Sequence, residues 1–538
     1  MSWKHIATGA AVALAVLAPA SQVSAHAGLV ASVPAANAVL ETGPPTIQLV
    51  FNEAVDAGLA DIELYDENAT LIPTGAPEAA AGGEATVQAS VPSIGAGVYV
   101  VVWRVPSADG HVVDGVFSFQ VGTGAGVQSG VDVGALIDKV SGNAAANSTV
   151  GRLDTGARLL ALIGLIVLVG GGVLAVQSAD SASNRMLLWL AWAFLLVGSL
   201  GSFGLYGAKV VAGTPSDALK PAVWGKIVGS HTASVLLVRS MLVLAVAVLL
   251  FTFARRARDV WRGAALALSI ALILTFATIG HASAQDPAAL WIGIDAVHLA
   301  SIALWIGGLL MFAFGTSAWL TDPESDGIVR RFSLMSMVAV PLIVGTGVLQ
   351  TLKLAGNLDD VTSTSWGRTL LVKVAVVTVL VAIGGVSQWV LRNDGPPALK
   401  YNVLVEALIG IGVVGLAAAL VALPPQAAAA SKVFTTTLSS AGVTADVTIT
   451  PGRVGQNEVH LVITPPGGGL DPVVSTTVDA QPASATSGSV PATLQVLAPN
   501  HYTGTIDLSK SGDWTLQITV EPIQNQQVVL SSVVAIPG

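Results

Sequence analysis

His26, Asp109 and His111 have the residue types and the spacing that a transition-metal site requires. Asp109 and His111 are two residues apart, so in an extended segment both side chains point to one face. An amino-terminal His26 would add its α-amine and its imidazole as a chelate. Two imidazoles, an amine and a carboxylate suit Cu(II), which leads the divalent affinity order and prefers tetragonal nitrogen and oxygen ligands. The pattern therefore predicts a Cu(II) site.

The start of the chain decides whether His26 carries a free amine. An apolar run from Ile6 to Leu17 follows Lys4 and is too short to span a bilayer. Val23-Ser24-Ala25 supplies small residues at the cleavage positions of a secretory signal. We therefore predict a signal peptide over residues 1–25, whose removal makes His26 the first residue of the mature protein.

Composition places the chain among membrane proteins and limits the metal ligands. Of 538 residues, 53% are hydrophobic and 11% are charged, against about 25% charged in soluble domains. Cysteine is absent, which excludes disulfides and thiolate sites. None of the six methionines lies between Ala27 and Arg185. A thioether-rich Cu(I) site in the N-terminal part is therefore excluded too.

The distribution of charge excludes nucleic acid as a partner of the terminal parts. The net charge is −9, and Arg104 is the one basic residue between His26 and Ala125. Phosphates require Lys and Arg, whereas acidic surfaces suit cations. The sequence also lacks a nucleotide-binding motif, so it does not indicate ATP-driven pumping.

The elements that would position the metal ligands are short strands at both ends of the chain. Ile47, Leu49 and Phe51 alternate with polar neighbours, and residues 98–105 form a β-branched and aromatic run. Gly- and Pro-rich turns separate these runs. We predict a small β-sandwich or barrel over 26–122, a linker over 123–150 and a second β-sandwich over 432–538.

The middle of the chain, residues 151–424, contains eight apolar segments long enough to span a bilayer. An even count places both terminal domains on the same side of the membrane. Arginines and lysines are more frequent in the loops on the side of the membrane away from the terminal β domains, and such loops are usually cytoplasmic. The sequence therefore predicts a multi-pass cell-membrane protein whose β domains are extracytoplasmic. The eight predicted segments are 153–176, 187–208, 232–254, 261–281, 289–315, 333–355, 368–391 and 402–423.

Several stretches of the N-terminal part occur together in one known family. They are His26-Ala27, Pro34, Phe51-Asn52-Glu53, Trp103 to His111 and Gly115 to Phe119. In this combination the region resembles the CopC copper-binding domain, a small immunoglobulin-like β-sandwich or barrel. The resemblance implies Cu(II) ligands at the amino-terminal histidine and in the Asp-x-His motif, which are His26, Asp109 and His111 here. The Met-rich Cu(I) site of some members is lacking.

The membrane part also carries stretches found together in a family. These are Gly280-His281-Ala282, His298 to Leu309, Arg331-Phe332-Ser333, Thr364 to Lys373, and Glu406. With them the region resembles the CopD family, which is often fused to CopC. The C-terminal domain is similar, more loosely, to the YtkA-type β domain that follows CopD in some fusions.

Ionisable groups inside a bilayer are costly and usually mark a pathway or a site. His231 begins the third span, His281 ends the fourth, and His298 lies in the fifth, roughly 10–15 Å below the outer surface. Asp295 precedes His298 by three residues, a helical spacing at which a carboxylate can orient an imidazole. We predict that these four residues form a membrane copper pathway, with structural or interfacial roles as the alternative.

Five other ionisable residues are assigned structural roles. Interior ion pairing is favoured over transport for Arg239, Lys373 and Glu406. A surface role is favoured over metal binding for His460 and His501, because strand alternation can place His460 on the solvent face.

The function predicted from these features is extracytoplasmic Cu(II) binding coupled to copper transport across the cell membrane, with uptake favoured. It would contribute to copper homeostasis or resistance, and no enzymatic activity is expected. One alternative is copper sequestration without transport. Another is a membrane b-type haem protein with the membrane histidines as axial ligands. A copper monooxygenase is disfavoured, because a ligating carboxylate would fill the position where oxygen binds.

Overall fold

A computed structural model gives the arrangement of the chain. It describes residues 28–34, 38–40, 42–51, 53–80, 83–107, 110–122, 136–137, 139–140, 148–177, 181–256, 258–315, 326–355, 361–362, 364–393, 395–421, 423, 434–450, 452, 454–466, 472–483, 488–524 and 526–536. The predicted signal peptide, His26 and Asp109 lie outside the described residues.

The N-terminal domain is a sandwich of two sheets, with strand orders β1-β3-β7-β6 and β2-β9-β8-β4-β5. Strand β2 pairs with β9 in parallel, and the other pairs are antiparallel. The strands are β1 Leu29–Val33, β2 Val39–Leu40, β3 Thr46–Phe51, β4 Asp61–Tyr65, β5 Leu71–Ile72, β6 Glu78–Ala79, β7 Thr86–Ser90, β8 Gly97–Pro106 and β9 Val112–Val121.

Alternation along β3 builds the core of this sandwich. Ile47, Leu49 and Phe51 are buried, while the residues between them are half-buried. The Phe51 ring meets Trp103 of β8 edge to face, with ring centroids 5.4 Å apart. Such pairs contribute about 0.5–1.5 kcal/mol beyond their buried area. The predicted β-sheet domain is confirmed, and its longest strands, β8 and β9, flank the turn that ends at His111.

Within the described residues, eight helices are long and apolar enough to span a bilayer, which confirms the number predicted. Each helix begins or ends within a few residues of the corresponding bound of its predicted segment. The helices are α1 Thr149–Gln177, α2 Ala182–Val210, α3 His231–Phe251, α4 Asp259–Ala277, α5 Ala288–Gly315, α6 Asp326–Leu354, α7 Ser365–Asn393 and α8 Lys400–Val421.

Two glycines allow α1 and α5 to cross at backbone contact. A Cβ atom on Gly170 would lie 1.7 Å from the Ala303 carbonyl oxygen, and one on Gly307 would lie 2.1 Å from that of Ile166. Both glycines belong to π-helical turns, Val167–Gly171 in α1 and Ala303–Gly307 in α5. Small residues let transmembrane helices approach closely, so these turns fix the helix that carries His298 against the first span.

The C-terminal domain is a second sandwich, as predicted. Its sheets have the orders β10-β11-β12-β16-β15 and β14-β13-β17-β18. Its core includes the fully buried Trp514, Leu516 and Ile518 on alternate positions of β17. The strands are β10 Phe434–Ser440, β11 Val443–Thr450, β12 Gly455–Thr464, β13 Ser475–Pro482, β14 Val490–Pro491, β15 Thr493–Ala498, β16 His501–Leu508, β17 Gly512–Ile523 and β18 Gln526–Ile536.

Candidate metal centre and membrane histidines

His111 ends a tight turn that joins β8 to β9. The Ser107 amide donates to the His111 carbonyl oxygen (2.7 Å), and the Gly110 amide donates to the Ser107 carbonyl oxygen (3.0 Å). Gly110 has a φ of +85°, a left-handed conformation that glycine adopts without steric cost. The turn therefore holds the His111 side chain at the edge of the sandwich. Of the three predicted Cu(II) ligands, His111 is the one within the described residues.

This turn lies against the ends of the membrane helices. His111 Nε2 donates a hydrogen bond to the carbonyl oxygen of Val421, the last residue of α8 (2.7 Å). The final carbonyls of a helix have no partner within the helix, so the imidazole satisfies a group that needs a donor. Because a carbonyl only accepts, the proton of a neutral His111 ring lies on Nε2 and the lone pair on Nδ1.

His281, in the segment after α4, stacks on the His111 ring. The ring centroids are 5.4 Å apart and the planes differ by 11°. This contact joins a residue of the predicted Cu(II) site to a residue of the predicted membrane pathway. No metal site of three or more His, Cys, Asp or Glu side chains is formed within the described ranges, which omit His26 and Asp109.

Apolar contacts support the same interface. Leu59 and Val112 of the N-terminal domain pack on a membrane cluster that also includes Leu237 and Ile279. A Cβ atom on Gly110 would lie 3.0 Å from Thr232 Oγ1 and 3.2 Å from Ile279 Cγ2, so a larger residue in the turn would press on α3. The buried members of the cluster are Phe203, Tyr206, Val210, Ile227, Ala233 and Leu236.

His231 lies at the same end of the bundle but outside the packed interface. It is the first residue of α3 and is exposed. Its Nε2 atom is 3.3 Å from the carbonyl oxygen of Thr278, three residues before His281. This contact ties the start of α3 to the end of α4.

His298 lies inside the bundle on α5 and bonds to α6. Its Nδ1 atom is 2.8 Å from Thr346 Oγ1, and the Thr346 hydroxyl donates to the Leu342 carbonyl (2.5 Å). Because that hydroxyl has a single proton, its oxygen accepts from His298 Nδ1–H. The lone pair of the neutral imidazole is then on Nε2, which is the form that binds a metal.

Asp295 does not orient His298, which corrects the expectation drawn from their helical spacing. The Asp295 carboxylate accepts a hydrogen bond from Gln350 Nε2 (2.8 Å). It also interacts electrostatically with Lys373 and with His281. Two polar residues of α6 at helical spacing, Thr346 and Gln350, therefore hold the two ionisable groups of α5. The sequence feature that could have indicated these partners is a Thr and a Gln four residues apart in an otherwise apolar span.

The expected ion pairs are replaced by neutral partners in two of three positions. Arg239 donates from Nε to Thr275 Oγ1 (3.0 Å) and lies 3.6 Å from the Phe276 ring centroid. Glu406 accepts from Ser387 Oγ (2.5 Å). Lys373 has an acidic neighbour of the expected kind, Asp295.

A buried ion cluster that the sequence does not indicate lies beside His111. Asp154 of α1 is 3.1 Å from Arg158 Nε and forms a second ion pair with Lys209 of α2. It also interacts electrostatically with His111. The cluster fixes α1 to α2 at the end of the bundle where the N-terminal domain is seated.

Three family matches cover most of the two parts that meet at this interface. Residues 29–122 match the CopC domain, residues 153–291 match the copper resistance protein D-like N-terminal domain, and residues 326–420 match copper resistance protein D. The likeness of residues 432–538 to YtkA-type domains stays a prediction.

Curated relatives are similar in each part. The copper transport protein CutJ of Bacillus subtilis is 25% identical over 467 residues, which cover 84% of this chain and 83% of CutJ. Protein YobA of Escherichia coli is 35% identical over 18% of this chain and 79% of its own length. The inner membrane protein YebZ of Escherichia coli is 27% identical over 39% of this chain and 74% of its own length.

Proposed function

Because this chain belongs to the CopC–CopD family of copper resistance proteins, we propose that it captures Cu(II) outside the cell and passes copper inward across the membrane. The eight apolar helices and the membrane relatives make it a multi-pass membrane protein. Its copper-related function follows from the family. The extracytoplasmic position of the β domains, the Cu(II) state and the inward direction are parts of the proposal.

The contact between His111 and His281 is the observation that carries this proposal. A capture domain on a flexible tether would deliver copper after diffusion, whereas here the ring of the proposed ligand His111 stacks on His281 of the membrane domain. In the proposed site His26, Asp109 and His111 hold Cu(II). Imidazole nitrogen is an acceptable ligand for copper, so in this proposal His281 receives the ion from His111.

From His281 the proposed route continues to Asp295 and His298. Asp295 interacts electrostatically with His281, and His298 presents its Nε2 lone pair one helical turn further along α5. At 1.5 Å per residue this turn lies roughly 10–15 Å inside the bundle. Lys373 interacts with both Asp295 and His298, so an incoming cation would replace its ammonium group beside the Asp295 carboxylate.

The test of direction is the copper content of cells with and without the protein, measured by mass spectrometry at matched growth. Inward transport predicts higher copper in the expressing cells, mainly in their cytosol. Unchanged cytosolic copper with copper retained on the membrane fraction would indicate sequestration. The purified protein should also lack a Soret absorption band, since a b-type haem reading requires one.

A further inference from the structure

A pair of histidines lies outside the proposed route, on the C-terminal domain. His460 belongs to β12 and His501 to β16, which are adjacent antiparallel strands. His460 is opposite Thr503 and His501 is opposite Val462, so the two histidines are diagonal neighbours on one face. That face is the outer one, because Leu461 and Tyr502 point into the core. Both histidines are half-buried.

The two rings converge on one point. Their Nε2 atoms are 2.5 Å apart, the centroids are 4.5 Å apart, and the planes differ by 89°. Hydrogen bonds that N–H groups donate have heavy-atom separations of about 2.7–3.2 Å. Both ring nitrogens thus point at the same place from perpendicular planes. A divalent ion bonded to both at about 2.0–2.1 Å would set the nitrogens about 2.8 Å or more apart, which a small rotation of the two rings provides.

The surroundings favour the neutral rings that a cation needs. Burial, together with the neighbouring His501, lowers the pKa of His460 to about 4. Burial also lowers the pKa of His501. Glu458, two positions before His460 on the same face, accepts a hydrogen bond from Thr503 Oγ1 (3.1 Å). From residue 431 onward the sequence has seven acidic residues against three basic ones, which favours cations.

We propose that His460 and His501 bind a second copper ion through their Nε2 atoms on the outer face of the C-terminal sheet. Neither cysteine nor methionine occurs in this domain, and a site of nitrogen ligands prefers Cu(II) over other first-row divalent ions. Two protein ligands leave coordination positions for water, which allows the ion to exchange. The site is independent of the N-terminal ligands and of transport.

The experiment is an equilibrium Cu(II) titration of the full-length mature protein in detergent, followed by electron paramagnetic resonance. The H460Q/H501Q variant should bind one copper ion fewer per chain than the parent. In a His111→Gln background, which weakens the N-terminal site, a signal component coupled to two imidazole nitrogens should remain, and that component should disappear when H460Q/H501Q is added. Gln456→Ala, an exposed change on the same face of β12, is the matched control and should bind as the parent does.

Equal copper stoichiometry in the parent and in H460Q/H501Q would overturn the proposal and leave only a shared proton between the rings. The single variants His460→Gln and His501→Gln guard against misfolding, because each should lose the same ion while keeping the far-ultraviolet circular dichroism of the parent. If the proposed N-terminal Cu(II) site were wrong, the His111→Gln variant would instead bind as many copper ions as the parent. The two proposals can therefore be refuted separately.

Discussion

Leu59 should govern whether the N-terminal domain stays seated on the membrane helices. It ends the short 3₁₀ helix Ala57–Leu59, is half-buried, and packs with Val112 on the membrane cluster. Replacing it by aspartate removes this apolar contact and places a carboxylate at the interface. The predicted Cu(II) ligands are elsewhere, so we expect Leu59→Asp to separate the domain from the bundle without abolishing copper capture.

The free-energy cost of Leu59→Asp can be worked out from the burial of the Leu59 side chain. Complete burial of a leucine side chain contributes about 1.5–3 kcal/mol, so the half-buried Leu59 contributes about 1 kcal/mol. A polar group pressed into an apolar contact costs about 1–3 kcal/mol more. The sum of about 2–4 kcal/mol corresponds to a shift of roughly 30- to 1,000-fold in the ratio of seated to released domain.

The assay is a distance measurement between spin labels, for which the absence of cysteine leaves a clean background. Labels at Glu84→Cys in the N-terminal domain and at Val228→Cys between α2 and α3 should give a narrow distance distribution in the parent. Leu59→Asp should broaden it. Leu71→Asp, on the exposed Leu71 of β5, is the matched control and should leave it narrow.

A narrow, unchanged distribution in Leu59→Asp would refute the reasoning about the interface. So would equal broadening in Leu71→Asp, because the effect would then come from added charge and not from the lost contact. If Leu59→Asp releases the domain and also lowers copper uptake while Cu(II) capture persists, the seated position is needed for transfer.

Three further outcomes are expected. Intact-mass analysis should show a mature chain that begins at His26, and one residue added before it should cripple Cu(II) binding by moving the chelating amine. Replacement of Asp109 or His111 by alanine should weaken Cu(II) binding in equilibrium titrations, whereas parent-like binding by the double variant would make the turn a bystander. Thr346→Val should reduce copper uptake while capture is retained, since loss of such orienting partners typically costs about 10–100-fold in metal affinity. Its control is Thr351→Val, whose hydroxyl donates to the Gly347 carbonyl oxygen of the same helix.

Sequence patterns predicted most of the fold because burial repeats at fixed periods. Ile47, Leu49 and Phe51 alternate as a half-buried strand must, and eight apolar runs became eight helices. The role of Val421 could not be predicted, since the hydrogen bond to His111 uses a backbone carbonyl. Any residue at the end of α8 would offer the same group.

Contacts between side chains that are far apart in the sequence could not be predicted in two places. His460 and His501 meet only because β12 and β16 pair in one register, and a shift by one residue would send one ring to the core. Similarly, the spacing of Asp295 and His298 correctly put both on α5 but did not reveal their partners. Gln350 and Thr346 come from α6, whose facing side is decided by helix packing.

Copper uptake by cells that carry His298→Ala, at matched expression and with Cu(II) capture by the outer domain verified, tests the proposed route most directly. The imidazole of His298 is held by Thr346 with its lone pair on Nε2, and we expect its removal to abolish uptake and leave capture unchanged. The same result is expected for His281→Ala, which removes the ring that stacks on His111. Normal uptake in both variants would contradict the membrane route and leave only the outer copper site.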